Sequence, residues 1–273
     1  MGRRDLALLV LIACLCADAR PAAAVSAFQV KDIYPGGSSN PTDLTAVSPS
    51  LFDGAPLLFA ATDGTHGIEL WRSDGTSGGT FMVSDILPGS SSSVPAELTR
   101  VAGGLLSPGR LFFRAFEGTA GNELWKTDGT AAGTVLVKDI RPGAEGISLP
   151  WLGPNQLVNV NGTLFFSAIT STNGQELWKS DGTPAGTVLV RDIHPGAQNS
   201  SPGGLTAIGS VVFFSADDGT NGRELWISDG TFAGTAMVAD LEPAGSSSPE
   251  ELTVWDGILY FTADVTGFGR ELY

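Results

Sequence analysis

A chain of 273 residues with only 16% charged side chains, 36 glycines and 16 prolines can bury a sizeable core and reads as many short strands joined by tight turns, an all-β composition. Its formal net charge is −14 and its Lys and Arg residues form no cluster, which excludes a phosphate-binding surface: nucleic acid and anionic membrane are not expected partners, and a cation or a neutral glycan fits better. Both cysteines, Cys14 and Cys16, lie near the N-terminus, so the body holds no disulfide framework, no thiolate zinc site and no Cys nucleophile.

Residues 1–24 combine Arg3 and Arg4, an apolar run from Leu6 to Ala17 and the small residues Ala22 to Ala24. The run is too short for a transmembrane helix, which needs about 20 apolar residues, and matches a signal-peptide core, so export is expected. Cleavage after Ala24 leaves residues 25–273 as one domain. Leu11-Ile12-Ala13-Cys14 offers an alternative, a lipobox in which Cys14 is lipidated.

Next comes Phe28 to Gly36 (FQVKDIYPG), then Leu44 to Val47, the Phe-rich segment Leu57–Thr62, and Glu69 to Gly89, ELWRSDGTSGGTFMVSDILPG. The last stretch returns from Glu123, Glu176 and Glu224, and Trp71, Trp125, Trp178 and Trp226 are 54, 53 and 48 residues apart. That is a structural period. Each unit supplies a Leu-Thr strand, a Phe-rich strand (Leu111–Phe116, Leu164–Ile169, Val211–Asp217 and Leu259–Asp264 in later units), an ELW strand and a V-x-D-I strand. Four short strands with Gly-rich turns are the pattern of a β-propeller blade. The position before the Asp of the last strand varies among Lys31, Ser84, Lys138, Arg191 and Ala239, as suits an outer edge in water.

Five Phe-rich strands, five Glu-Leu-aromatic strands and five D-[IL]-x-P segments accompany only four DGTxxGT loops. The count predicts five four-stranded blades, the last completed by strand 28–33 pairing beside 270–273. Ile147 to Val160 departs from the pattern and predicts a local loop or bulge, with Trp151 packed. Trp255 aligns with Val47, Val101 and Ile208 and is expected in the core.

Asp74, Asp128, Asp181 and Asp229 open the DGTxxGT loops, where Asp accepts backbone N–H bonds and Gly tolerates positive φ, so a turn role is expected. They are also weak Ca²⁺ candidates, with Asp63, Glu117 and Asp218 in the preceding hairpins, although no EF-hand spacing exists. Glu69, Glu123, Glu176, Glu224 and Glu271 share a strand face with Trp71, Trp125, Trp178, Trp226 and Tyr273 and point towards a neighbouring blade. A buried carboxylate must find donors, so they read as inter-blade or loop-anchoring acceptors. Gly75 to Gly79 matches G-x-S-x-G, but Ala131, Pro184 and Phe232 replace Ser77 in the other copies. His66 and His194 sit at variable turns without metal-ligand spacing. No catalytic residue is assigned.

The motif E-L-W-x-[ST]-D-G-T-x-x-G-T followed by V-x-D-[IL]-x-P resembles the bacterial ELWxxDGT repeat proteins over residues 28–273. The resemblance implies export and a repeat β architecture, and no particular activity. Repetition without a singular catalytic constellation points to a non-enzymatic binding, adhesion or scaffold propeller at the cell envelope, free or lipidated, with an extracellular glycan or protein ligand. The alternative, by fold analogy, is a carbohydrate-active enzyme, glycosidase or lyase, whose carboxylates would come from residues such as Asp217, Asp218 and Asp264.

Overall fold

Strand follows strand in antiparallel order, because each Gly-rich turn reverses the chain before the next apolar run begins. The computed structural model describes residues 27–47, 56–101, 110–143, 155–243 and 245–273. Blade 1 comprises β1 (Thr42–Ala46), β2 (Leu57–Thr62), β3 (Ile68–Ser73) and β4 (Phe81–Ser84). Blade 2 comprises β5 (Ala96–Val101), β6 (Arg110–Glu117), β7 (Gly121–Thr127) and β8 (Val135–Lys138). Blade 3 has β9 (Asn155–Val160), β10 (Thr163–Thr170), β11 (Gly174–Ser180) and β12 (Val188–Arg191); blade 4 has β13 (Gly203–Ile208), β14 (Val211–Asp217), β15 (Arg223–Ser228) and β16 (Ala236–Ala239). Blade 5 has β17 (Glu250–Trp255), β18 (Ile258–Val265) and β19 (Gly269–Leu272). Every sheet keeps chain order, and no helix occurs among the described residues.

In blades 1 to 4 the second strands are covered on both faces, which explains their continuous apolar runs. Phe59, Phe113, Phe166 and Phe214 stand opposite Trp71, Trp125, Trp178 and Trp226. One face of each blade meets the opposite face of the next. Val47, Leu58, Leu70 and Ile86 of blade 1 pack with Phe113, Ala115 and Trp125 of blade 2, and the same positions recur between blades 2 and 3 and between blades 3 and 4. First strands touch in series, β1 to β5, β5 to β9, β9 to β13 and β13 to β17. The expected edge strands β4, β8, β12 and β16 are outermost. Their charged residues reach across an interface: Lys138 Nζ donates to Thr187 O at 2.7 Å and lies over the Trp178 ring.

Four departures from expectation matter. Residues 28–33 form no strand, and blade 5 has three strands among the described residues. The segment lies instead against blade 1, where Ile33 finds an apolar seat on Phe59, Ala61 and Trp71. Trp255 is not in the core; it is 69% exposed on the uncovered face of blade 5. Glu271 and Tyr273 are exposed on β19 and beside it, unlike their counterparts in blades 1 to 4. Finally, the irregularity expected only in the third unit belongs to every first strand: β1, β5, β9, β13 and β17 all carry a register shift. Trp151, the rest of 147–154 and the leader with Cys14 and Cys16 lie outside the described residues.

Candidate functional site

The repeated carboxylates act as joints between blades. Glu69, fully buried, accepts N–H bonds from Ile86 (2.9 Å) and Ser93 (3.0 Å) and the Ser93 hydroxyl (2.6 Å). Ser93 O in turn accepts from Phe116 N of blade 2 at 2.8 Å. Glu176 likewise holds Ile193 N, His194 N, Ser200 N and the Ser200 hydroxyl, and Glu224 holds Leu241 N, Ser247 N and the Ser247 hydroxyl. Glu123 accepts from Ile140 N and Arg141 N. Burial pushes the Glu69 acid above its ordinary value, Glu176 to about 6 and Glu123 to about 7.

The DGTxxGT loops are equally self-contained. Asp181 Oδ1 accepts from Thr183 N (2.8 Å) and Thr183 Oγ1 (2.7 Å), while Thr187 Oγ1 donates to Thr183 O and meets Ser180 Oγ at 2.7 Å. The same bonds occur at Asp74, Asp128 and Asp229. The Thr hydroxyl and N–H hold Asp74, Asp181 and Asp229 below the usual carboxylate range. A Cβ at Gly79, Gly133, Gly186 or Gly234 would collide with the carboxylate, which accounts for the second glycine of the motif. The four Ca²⁺ candidates are thus committed through Oδ1 to their own turns. Among the described residues no three His, Cys, Asp or Glu side chains converge as a metal site.

The other hairpin acids behave as turn residues. Asp63 Oδ1 accepts from Thr65 N and His66 N, and Oδ2 meets the His66 ring at 2.7 Å. Glu117 bonds Thr119, Asp217 accepts from Gly219 N, and Asp218 accepts from Thr220 N and Asn221 N. Asp264 pairs with Arg270 at 2.5 Å. His194 donates its backbone N–H to Glu176, so the two histidines serve separate joints and turns.

What does not repeat lies at the bulge of each first strand. Asp43, Glu97, Gln156, Gly204 and Glu251 occupy this position, all in the left-handed region with φ between 53° and 64°. Non-glycine residues seldom adopt it, and such outliers cluster at functional or tightly determined sites. Asp43 Oδ1 accepts from Glu97 N (3.2 Å), Glu97 Oε2 from Leu157 N (3.2 Å) and Gln156 Oε1 from Leu205 N (3.3 Å), a polar clasp passed from blade to blade. Arg114 Nε lies 3.8 Å from Glu97 Oε1. A methyl group on Gly203 would touch Ser215, Arg223 and Gln156, which places those three groups together. Burial raises the Glu97 acid above its usual value, with the Asp43 charge adding to the shift and Leu157 N–H and Arg114 opposing it. The strip therefore sets the exposed acceptors Asp43 and Gln156 and the half-buried Glu97 beside Arg114 and Arg223, the latter already donating to Ser200 O, Ser201 O and Ser215, a polar pattern suited to a hydroxyl-rich ligand.

Sequence reasoning missed both Ser93, Ser200 and Ser247 and the bulge residues. A signal existed for each: a Ser recurs 23 or 24 positions after the motif Glu, and the residue preceding the Leu of each first strand is Asp43, Glu97, Gln156, Gly204 or Glu251.

No family model matches the chain, and no curated protein matches it. Solved structures do resemble its fold. A puromycin hydrolase aligns over 84% of this chain and 35% of its own at 18% identity, TM-score 0.44. An ancestral GH74 enzyme aligns over 83% and 30% at 14% identity, TM-score 0.39. A Bifidobacterium bifidum s17 protein assigned as an exo-beta-1,3-galactanase aligns over 84% and 87% at 10% identity, TM-score 0.34. The chain thus spans about a third of the length of the first two. The structure belongs to the all-β class built from propeller-type blades, and likeness at this level carries no argument about activity.

Proposed function

We propose that the chain is an exported, non-enzymatic binding scaffold of the bacterial cell envelope, with the first-strand strip as its ligand face; its resemblance to the ELWxxDGT repeat proteins supports export and a repeat β architecture, and repetition without a singular catalytic constellation supports the binding role. One observation carries the reading: the polar groups of the motif recur in every unit inside its joints and turns, while the bulge positions Asp43, Glu97, Gln156 and Glu251 differ from blade to blade and, though the first three also clasp the next blade, keep their side chains wholly or partly open to solvent. The ligand class that suits this strip is a neutral glycan; a protein loop rich in hydroxyls and amides is the other candidate. The full chain on a glycan array, and envelope extracts passed over immobilised protein, test it. Glu97→Gln and Arg114→Met should each weaken binding about tenfold, the effect of one charge-assisted bond, and Asp229→Asn should not. Binding of nothing, or binding indifferent to the strip, overturns the proposal.

A second reading has one observation in its favour, the raised Glu97 acid beside the Asp43 carboxylate, which is how a general acid is poised in carbohydrate-active enzymes. It expects a bound oligosaccharide to be recovered cleaved from the parent chain and intact from Glu97→Gln. Intact recovery from both removes it.

A further inference from the structure

We infer that Asn161 is a site of covalent self-modification, deamidation to aspartate and isoaspartate, and that the Asn159 side chain sets its rate. The inference is independent of the ligand reading above. It starts from the three Asn-Gly pairs of the chain, Asn161-Gly162, Asn173-Gly174 and Asn221-Gly222, which share one chemistry and differ in their surroundings.

The reaction is intramolecular. The backbone nitrogen of the glycine, once it has given up its proton, attacks the carbonyl carbon of the Asn side chain. A new C–N bond closes a succinimide ring, the bond to the side-chain nitrogen breaks, and that nitrogen takes up a proton and leaves as ammonia. Water then opens the ring at one carbonyl or the other, which yields an aspartate or an isoaspartate whose main chain runs through the former side chain. Glycine has no side chain to crowd the attack, and asparagine is a thermolabile residue. Water is the one co-reactant. Two parts must be free to move: the Asn side chain, which turns towards the next nitrogen, and the backbone of the pair, which rotates.

Two of the pairs are held on both counts. Asn173 Nδ2 donates to Asp192 Oδ2 at 3.0 Å and its backbone N–H to Thr170 Oγ1 at 3.0 Å. Asn221 Nδ2 donates to Asp218 Oδ2 at 2.7 Å and its backbone N–H to Asp218 Oδ1 at 2.8 Å. The glycines that follow are wedged against the linkers to the next blade, where a Cβ on Gly174 would collide with Gln198 O and one on Gly222 with Gly245 O. The next residues are tied to the same linkers, Gln175 N to Asn199 Oδ1 at 2.8 Å and Arg223 N to Ser246 Oγ at 2.9 Å. Rotation at either pair therefore has to displace the joint between two blades.

Asn161 and Gly162 stand clear of any linker. Both are exposed, and they form the two-residue turn between β9 and β10 with φ of 48° and 89°, the two positive values that a type I′ turn requires. The Asn161 side chain makes no hydrogen bond among the described residues. Beside the closing Val160–Thr163 pair, the turn is fastened by Gly162 N, which donates to Asn159 Oδ1 at 2.9 Å. That bond holds the proton the attack must lose and fixes the peptide plane that must rotate, so Asn159 acts as a brake. The aspartate product suits the turn, since Asp256-Gly257 makes the same turn in blade 5 with φ of 52° and 75°. The isoaspartate product adds a main-chain carbon between Val160 and Thr163 and disturbs the end of the hairpin.

The test follows the full chain, warmed at mildly alkaline pH with and without urea, by peptide mass spectrometry, with an isoaspartyl methyltransferase to label isoaspartate. In the folded chain the Asn161 peptide should exchange NH2 for OH, while the Asn173 and Asn221 peptides should last at least about tenfold longer. In urea all three should convert at comparable rates. Asn159→Ala should speed conversion at Asn161 about tenfold in the folded chain, the effect of one hydrogen bond, and leave the rate in urea unchanged; Asn159→Asp, which keeps the acceptor, should not speed it. The parent time courses decide which pair reacts even where a variant fails to fold. Folded-state conversion of Asn173 or Asn221 as fast as Asn161, an Asn161 that stays intact while the unfolded chain converts, or a folded Asn159→Ala chain with the parent rate overturns the proposal.

Discussion

Replacing Glu176 by Ala removes one acceptor from three backbone N–H groups, of Ile193, His194 and Ser200, and from the Ser200 hydroxyl, at 2.6–3.3 Å. A buried donor left without a partner costs about 1–3 kcal/mol. The sum is reduced because the parent carboxylate is itself desolvated, which is why its acid is raised to about 6. A net loss of about 3–5 kcal/mol remains, set against the roughly 5–15 kcal/mol that holds a typical domain together. Urea unfolding followed by tryptophan fluorescence reads it at Trp178 and Trp226, which flank this joint. Ser200→Ala alone should cost about 1–2 kcal/mol, and the double variant should fall short of the sum by at least ~1 kcal/mol, because the two groups share a bond. A Glu176→Ala loss below ~1 kcal/mol would refute the assignment of this residue as a joint.

Gly186→Ala places a Cβ about 2.1 Å from Asp181 Oδ1 and must break the bonds to Thr183, so it should destabilise by about 1–3 kcal/mol, but add nothing to Asp181→Ala in the double variant; additive losses in the melting curves would contradict this. Gly204→Asp keeps a backbone that Asp tolerates, meets only Leu252 at 3.5 Å and supplies the clasp that blade 4 lacks, so calorimetry should show a gain of about 0.5–1.5 kcal/mol rather than a loss. The joints also set a pH dependence. Glu123 titrates at about 7 folded against 4.5 in its ordinary state, so between those values the folded chain holds a proton that the unfolded chain has released, and stability falls as pH rises through the window. Urea midpoints should be higher at pH 5 than at pH 7.5, with a shallower slope in Glu123→Gln; a parent whose midpoint rises with pH sinks the argument.

The blade was legible in the sequence because its parts are local. Phe59 and Trp71 lie a dozen residues apart in one hairpin, and the DGTxxGT turn closes through Asp181, Thr183 and Thr187, all within seven positions. The Glu residues were legible as acceptors because burial of an acid demands donors. Their Ser partners were not, since the linkers holding Ser93, Ser200 and Ser247 are Ser-rich and only the register shows which hydroxyl arrives. The bulges were missed for a different reason: a left-handed Glu97 or Gln156 carries no glycine to announce it. At the end blades, equivalence of motif shows which side of blade 1 residues 28–33 occupy but not that they form a ladder: Ile33 seats on Phe59, Ala61 and Trp71, and among the described residues the sheet of blade 5 is β17, β18 and β19.

The claim that the repeated Glu joins one blade to the next is tested most directly by amide hydrogen exchange. Ile193 and Ser200 N–H lie outside the sheet ladders, yet should exchange as slowly as the amides of β10 and β11, and Glu176→Gln should accelerate these two while leaving Ile86 and Ser93 protected. Exchange of Ile193 and Ser200 at the rate of exposed loops in the parent chain would contradict the account.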